Sequence, residues 1–401
     1  MKKNSFAGTG KSHVHVALMA TVGVIGSVWL SACTKERFSG AGGLTGGEST
    51  FNVSLQAGRF VGASSAGGAL EERNHDPSSL SSPTSTRVIP ATGMHEDRME
   101  NIWVVQFDAS GGCVRSTYYA SYDPDNFPVT LSNGTNQTVA FVANTFDADL
   151  FAGCTESWER FRALTRTVSE ATIHTGTGAG DRYLPISGIY RGDITAAGLP
   201  AAVQMKRAVA KVRVTWSVDL ATAGDRFVPT GLRLCQAATT QSYLEPGASF
   251  SGGGGGVAAE LYPTAAAGNF APYDVMDNPG AAGSATWYVA ENLRGTGSGT
   301  TAFDKNEATA AVGQGAFCTY VDLQGTYTFA GGETVELSYK FYLGGDVAAD
   351  YNVRRNNFYD LTVRIVGANA ADTRISVTSA DGTWGVDVEG TGSTTGDVKF
   401  D

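Results

Sequence analysis

From Lys211 to Val218 every even position is apolar (Val212, Val214, Trp216, Val218) and every odd one is polar (Lys211, Arg213, Thr215, Ser217). Successive side chains of a β-strand point to opposite faces, so this period of two places one apolar face on a core and one polar face in water. A helix would scatter the same residues around its axis. Val335–Leu343 and Leu361–Ile365 repeat the alternation, and Thr50–Leu55 carries it near the start of the chain. Ile102–Phe107 (Ile-Trp-Val-Val-Gln-Phe) is apolar on both faces, which predicts a central strand covered on both sides, and Thr138–Asn144 reads the same way. A single helix is expected around Ser157–Ala171, where Trp158, Phe161, Leu164 and Val168 recur at spacings of three and four. With 51 glycines and only 17% charged residues, the composition disfavours long helices, and 15 tyrosines and 19 phenylalanines suit strands. The expected fold is therefore all-β: antiparallel sheets with one face in a core, most simply two β-sandwich domains in series over residues 50–205 and 206–401. No fixed-period repeat suggests a propeller or solenoid.

The N-terminus carries a different signal. Lys2 and Lys3 precede a mostly apolar run from Val14 to Leu30, which closes on Leu30-Ser31-Ala32-Cys33. That order is the cleavage pattern of a bacterial lipoprotein, with residues 1–32 as signal peptide and Cys33 as the acylated first residue of the mature chain. Residues 33–49 are Gly-rich and read as a flexible tether. Loss of Lys2, Lys3 and Lys11 takes the formal net charge from −10 to −13. So acidic a surface argues against nucleic acid, whose phosphates require Lys and Arg. No other stretch approaches the apolar length of a membrane span, so the lipid on Cys33 is the expected anchor to the outer membrane.

Four further cysteines remain: Cys113, Cys154, Cys235 and Cys318. An even number in an oxidising compartment permits two disulfides, and four free thiols are the alternative. If bonds form, Cys113–Cys154 and Cys235–Cys318 are the pairs that stay within one expected domain. Catalytic motifs are absent. Gly8-Thr9-Gly10-Lys11-Ser12 resembles the end of a phosphate loop, but Ser5 replaces its first glycine and the segment lies in the signal peptide. His75, His95 and His174 are isolated, and neither a zinc-type His pair nor a Gly-x-Ser-x-Gly nucleophile turn occurs. Asp123-Pro124-Asp125-Asn126 reads as a turn, without the glycine and distal glutamate of a calcium loop. The chain is read as a non-enzyme with no metal and no cofactor. Residues 62–93 form a long polar loop. Near the C-terminus Trp384–Val388 alternates again; it is either a last edge strand of the same domain or a strand meant for another molecule's sheet.

Four segments together resemble a known family. Glu100-Asn101-Ile102-Trp103-Val104-Val105-Gln106-Phe107-Asp108 and Lys206-Arg207-Ala208-Val209-Ala210-Lys211-Val212 are similar to segments of the fimbrillin family of Bacteroidales pili. So are Trp287-Tyr288-Val289-Ala290-Glu291-Asn292-Leu293-Arg294-Gly295 and the run from Asn352 to Val363 (Asn-Val-Arg-Arg-Asn-Asn-Phe-Tyr-Asp-Leu-Thr-Val). The likeness spans most of residues 85–375 and is nearest the minor anchor and tip subunits. It implies two transthyretin-like β-sandwich domains, delivery to the outer membrane as a lipoprotein, and other fimbrial subunits as partners. A host or bacterial surface receptor would be a further partner. In stalk and tip subunits an Arg-specific protease removes the lipid and first strand, and the next subunit's strand fills the groove. Carried to this sequence, Thr50–Leu55 is the first strand and cleavage is expected between Arg87 and Val88, with Arg59 and Arg73 as alternatives. An anchor subunit would keep its lipid and go uncut. Trp384–Val388 is the candidate donor strand. A surface glycan-binding lipoprotein, with aromatic rings stacked on sugars, is the alternative; Trp103 and Trp216 lie in expected strands and read as core.

Overall fold

The alternating stretch lies in the strand Val209–Val218, the second strand of a five-stranded sheet. A computed structural model describes residues 47–57, 94–176, 180–246, 261–379 and 396–399, and almost all of its regular structure is β. On one side of Val209–Val218 runs Ala282–Ala290, antiparallel, with Val212 opposite Trp287. On the other runs Asn357–Gly367, then Ala370–Ser379 and Gly396–Lys399. A four-stranded sheet faces this one, ordered Met276–Asp277, Arg226–Cys235, Tyr320–Thr328, Thr334–Tyr342. Val212, Val214, Trp216, Trp287, Leu361 and Val363 from the first sheet pack against Phe227, Leu234, Val321, Leu323, Tyr339 and Phe341 from the second. Each such side chain contributes about 1.5–3 kcal/mol when fully buried. This sandwich is what the even positions of Lys211–Val218 were patterned for. One neighbour was not foreseeable: Val209–Val218 and Asn357–Gly367 pair in parallel, Val212 opposite Tyr359. Parallel strands need a long crossover, and the facing sheet is built from the chain between them.

Earlier in the chain a six-stranded sheet is ordered Leu55–Ala57, Val203–Arg207, Ile186–Ile194, Gly134–Ala143, Ile102–Phe107, Cys113–Tyr119. Every residue of Ile102–Phe107 is buried, as its doubly apolar pattern requires. Ile102 and Val104, with Val139 and Phe141, pack on one face under Val129 and Leu131 of the strand Pro128–Ser132. Trp103, Val105 and Phe107 pack on the other under Phe151, Trp158 and Phe161. Gln106 is the polar member of the strand and is fully satisfied. Its amide nitrogen donates to Ser132 O at 2.7 Å and Gln137 Oε1 at 3.1 Å, and its oxygen accepts from Ser132 N at 2.9 Å. An unmade bond there would cost about 1–3 kcal/mol.

The expected helix is much shorter than its periodicity suggested. Only Trp158–Arg162 is helical, started by Ser157, whose hydroxyl accepts from Arg160 N at 3.4 Å. Thr165–Thr167 is instead a strand, paired with Thr240–Ser242. Trp158 and Phe161 enter the cluster on the six-stranded sheet, whereas Val168 sits in a separate cluster with Met94, Ile173 and Val209. Thr165, Thr167 and Val168 are β-branched and gain more from that pairing than from further helical turns.

Candidate functional site: the N-terminal segment and its groove

The ten residues from Glu48 to Ala57 join two sheets. Glu48–Asn52 runs antiparallel to Pro128–Ser132, with Phe51 opposite Val129, and the Thr50 and Thr130 hydroxyls lie 2.7 Å apart. The Glu48 carboxylate pairs with Arg115. At Val53 the chain crosses over: Val53 N–H donates to Phe127 O at 3.0 Å, and Val203 N–H donates to Ser54 O at 2.9 Å. Leu55–Ala57 then forms the edge of the six-stranded sheet, parallel to Val203–Met205. The expected single strand Thr50–Leu55 is thus two short strands in two sheets. The break at Val53–Ser54 lets the segment close the gap between them.

Alternate side chains point into the gap. Val53 and Leu55 are buried, and Phe51 and Ala57 pack partly, in the cluster that holds Phe127, Val129, Leu131, Ile194, Val203 and Met205. Phe51 lies so close to Gly198 that a Cβ there would come within 3.2 Å of the ring, and the φ of +93° at that residue also calls for glycine. Tyr119 and Tyr122 wall the cluster and meet Phe127 edge-on at centroid distances of 5.0 and 5.1 Å. Burial pushes both phenols up, so the wall stays neutral at physiological pH. Lifting the segment out would uncover this apolar floor and leave the strand Pro128–Ser132 without its pairing partner. Both are costly in water. The sequence reading singled out the segment but not its acceptor, although Val129/Leu131 and Val203/Met205 alternate in just the manner that could have revealed it.

The family-like motifs meet elsewhere, as a buried polar scaffold. Arg355 Nε donates to Glu291 Oε2 at 3.1 Å, and Arg355 Nη2 donates to Ser242 O at 3.2 Å. Arg207 donates from its backbone N (3.1 Å) and Nη1 (3.0 Å) to Asn356 Oδ1, and from Nε to Glu96 O (2.6 Å). Burial pushes the Arg207 guanidinium down to about 10, so it remains charged at neutral pH. Asn292 Nδ2 donates to Phe317 O, and Gly295 N to Asn352 Oδ1, both at 2.8 Å. These residues hold strand ends and loops in place; their motif character is structural.

Cys33, Arg87, Val88, the alternatives Arg59 and Arg73, and Trp384–Val388 lie outside the described residues. Cys113, Cys154, Cys235 and Cys318 are all thiols. Cys113 and Cys154 pack against one apolar cluster, and Cys113 Sγ donates to Arg115 O at 3.9 Å, whereas Cys235 stands opposite Tyr320 and Cys318 Sγ donates to Gln314 O at 3.3 Å. Among the described residues no group of three or more His, Cys, Asp or Glu is placed to hold a metal ion, and no helix is long and apolar enough to cross a membrane.

A family described as Domain of unknown function (DUF4906) matches residues 287–363, the span that opens on the Trp287 motif and closes on Val363 of the last one. No curated protein matches the sequence. Among solved structures, the chain is similar to a tip fimbrial protein from Porphyromonas gingivalis, solved with a C-terminal truncation. The identity is 16% over 71% of this chain and 95% of that one, with a TM-score of 0.46. It is also similar to a fimbrial assembly protein from Parabacteroides distasonis (15% identity, 73% and 94% covered, TM-score 0.36). A fimbrilin from Porphyromonas gingivalis is a third (13% identity, 67% and 84% covered, TM-score 0.39). All three are described as fimbrial proteins.

Proposed function

We propose that this chain is a fimbrial subunit of the bacterial surface, in the anchor or tip position, that joins its neighbours by exchange of an extended strand and supports adhesion. The observation that carries the reading is the segment Glu48–Ala57. It pairs with two sheets and seats Val53 and Leu55 in the core, yet it meets each sheet only at an edge. A partner's strand with the same alternation could replace it, recovering the backbone bonds and refilling the same apolar positions. In this reading the two sandwiches are two domains meeting at Ala208, between the strands Val203–Arg207 and Val209–Val218. The lipid on Cys33 holds the chain at the outer membrane. Cleavage after Arg87 frees the N-terminal strand in a tip subunit, and its absence marks an anchor, for which Trp384–Val388 is the strand to donate. The glycan-binding alternative draws no support from the tryptophans described: Trp103, Trp158, Trp216 and Trp287 are all buried and offer no face to a sugar.

The test uses the chain's own strand as ligand. Protein cut after Arg87 is stripped of its N-terminal piece in mild denaturant, refolded, and offered a labelled peptide with the sequence Glu48–Ala57. Binding that is lost when the peptide carries Val53→Asp and Leu55→Asp supports exchange. If the cut protein ignores its native strand, or binds both peptides alike, the exchange reading is wrong.

A further inference from the structure

The edge strand Cys113–Tyr119 of the six-stranded sheet runs beside the loop of residues 151–157, and the contacts between them bracket two cysteines. Ser116 Oγ donates to Phe151 O at 2.7 Å. Three residues earlier on the strand and three later on the loop stand Cys113 and Cys154, which pack against the same apolar cluster and are near enough for each thiol to shift the other's titration. Just beyond them Gly112 bridges Ser157 in antiparallel fashion, and Trp158 N donates to Gly111 O at 2.8 Å. The cysteine pair lies between these two non-covalent clasps, where the pairing shifts by two residues. The Asp108 carboxylate fixes the entry to this register, accepting from Ser110 N at 2.8 Å and Gly112 N at 3.0 Å. Both cysteines pack against the aromatic cluster of Trp103, Phe107, Phe151, Trp158 and Phe161, and both remain partly open to solvent.

The other two cysteines have no such setting. Cys235 stands opposite Tyr320 in the pairing of Arg226–Cys235 with Tyr320–Thr328. Cys318, fully buried, directs its thiol to Gln314 O.

We propose that Cys113 and Cys154 are a redox site that closes to a disulfide, locking the strand Cys113–Tyr119 to the loop over the aromatic cluster, while Cys235 and Cys318 stay thiols. The neighbouring Cys113 thiol, opposed by burial, holds the Cys154 thiol below its usual value, and the Cys154 thiol followed by burial raises Cys113, so Cys154 is the first thiolate. That thiolate attacks one sulfur of a disulfide donor, either oxidised glutathione or a protein disulfide, and expels the donor's other sulfur as a thiolate. The Cys113 sulfur, losing its proton to water, then attacks the Cys154 sulfur of the mixed disulfide and releases the second donor thiolate. Two electrons pass to the donor, which leaves as two thiols once protonated. This inference does not depend on how the chain assembles.

The experiment equilibrates the full chain, carrying Cys33→Ser so that four cysteines remain, with oxidised glutathione, then alkylates it in denaturant without reductant. The expected result is two alkylated residues, Cys235 and Cys318, and one cross-linked peptide joining Cys113 to Cys154. In the Cys113→Ser variant no intramolecular cross-link should form. Four alkylated cysteines, or a cross-link that includes Cys235 or Cys318, would overturn the proposal.

Discussion

Truncating the two anchors of the N-terminal segment, Val53→Ala with Leu55→Ala, should loosen that segment and leave the rest of the fold intact. Val53 and Leu55 are only 4% and 8% exposed, in a cluster walled by Phe127, Val129, Leu131, Val203 and Met205. The change removes two carbons from Val53 and three from Leu55, and at about 0.8 kcal/mol per buried methylene that is about 4 kcal/mol. No cavity term is added, because a segment at the sheet edge can shift to close the space. At 1.4 kcal/mol per decade, opening of the segment should become about a thousandfold more frequent. Hydrogen exchange followed by mass spectrometry reads this directly. Peptides covering 48–57 and 128–132 should exchange much faster in the double variant, while peptides covering 209–218 and 321–327 should not change. Gln56→Ala is the control, since Gln56 is exposed and its side-chain oxygen accepts from Gln204 Nε2 at 3.1 Å at the surface. Equal acceleration in both sandwiches would show that the segment opens only when the whole chain unfolds, which would refute its role as an exchangeable strand. Unchanged exchange in 128–132 would refute the burial argument itself.

Three further outcomes are expected. Glu291→Gln leaves the Arg355 guanidinium, 2% exposed, without its charge partner; it should cost about 3–5 kcal/mol and lower the melting temperature by roughly 10 °C. Replacing the pair together as Glu291→Leu with Arg355→Met should cost clearly less than the single change, and equal losses would refute the pairing. Burial pushes Lys305 down to about 8, so between about pH 8 and 10 the folded chain releases this proton before the unfolded chain does. Stability should therefore rise with pH in that window by roughly 3 kcal/mol, as urea titrations can measure, and Lys305→Met should abolish the rise. If the lipid on Cys33 is the anchor, Cys33→Ala should release the chain from the outer membrane, since among the described residues no helix is long and apolar enough to cross one; undiminished recovery in the membrane fraction would disprove lipid anchoring at Cys33.

How much of this was legible in the sequence depends on the range of the interactions that decide it. The alternation in Lys211–Val218 predicts a half-buried strand, and Val212, Val214 and Trp216 do face the core. The doubly apolar Ile102–Phe107 predicts a central strand, and it is buried throughout. Both outcomes follow from period and composition, which one short stretch carries by itself. The helix expected over Ser157–Ala171 was misjudged because its four spaced apolar residues serve two different clusters, and no local pattern says which cluster a residue joins. The same holds for the resemblance motifs: their order pointed to a family, but only the fold shows Arg207 on Asn356 and Arg355 on Glu291.

The sequence alone determined the half-buried strand over Lys211–Val218, the doubly covered strand Ile102–Phe107 and the all-β class, since each is a property of neighbours along the chain. Tertiary structure alone decided that Val209–Val218 pairs in parallel with Asn357–Gly367 and that Thr50–Leu55 breaks at Val53 to join two sheets. It also decided that, of the four cysteines, Cys113 and Cys154 share one apolar cluster. Those partners lie far apart in sequence, and their choice is made by packing and by the need to pair every buried backbone group, neither of which any single stretch records.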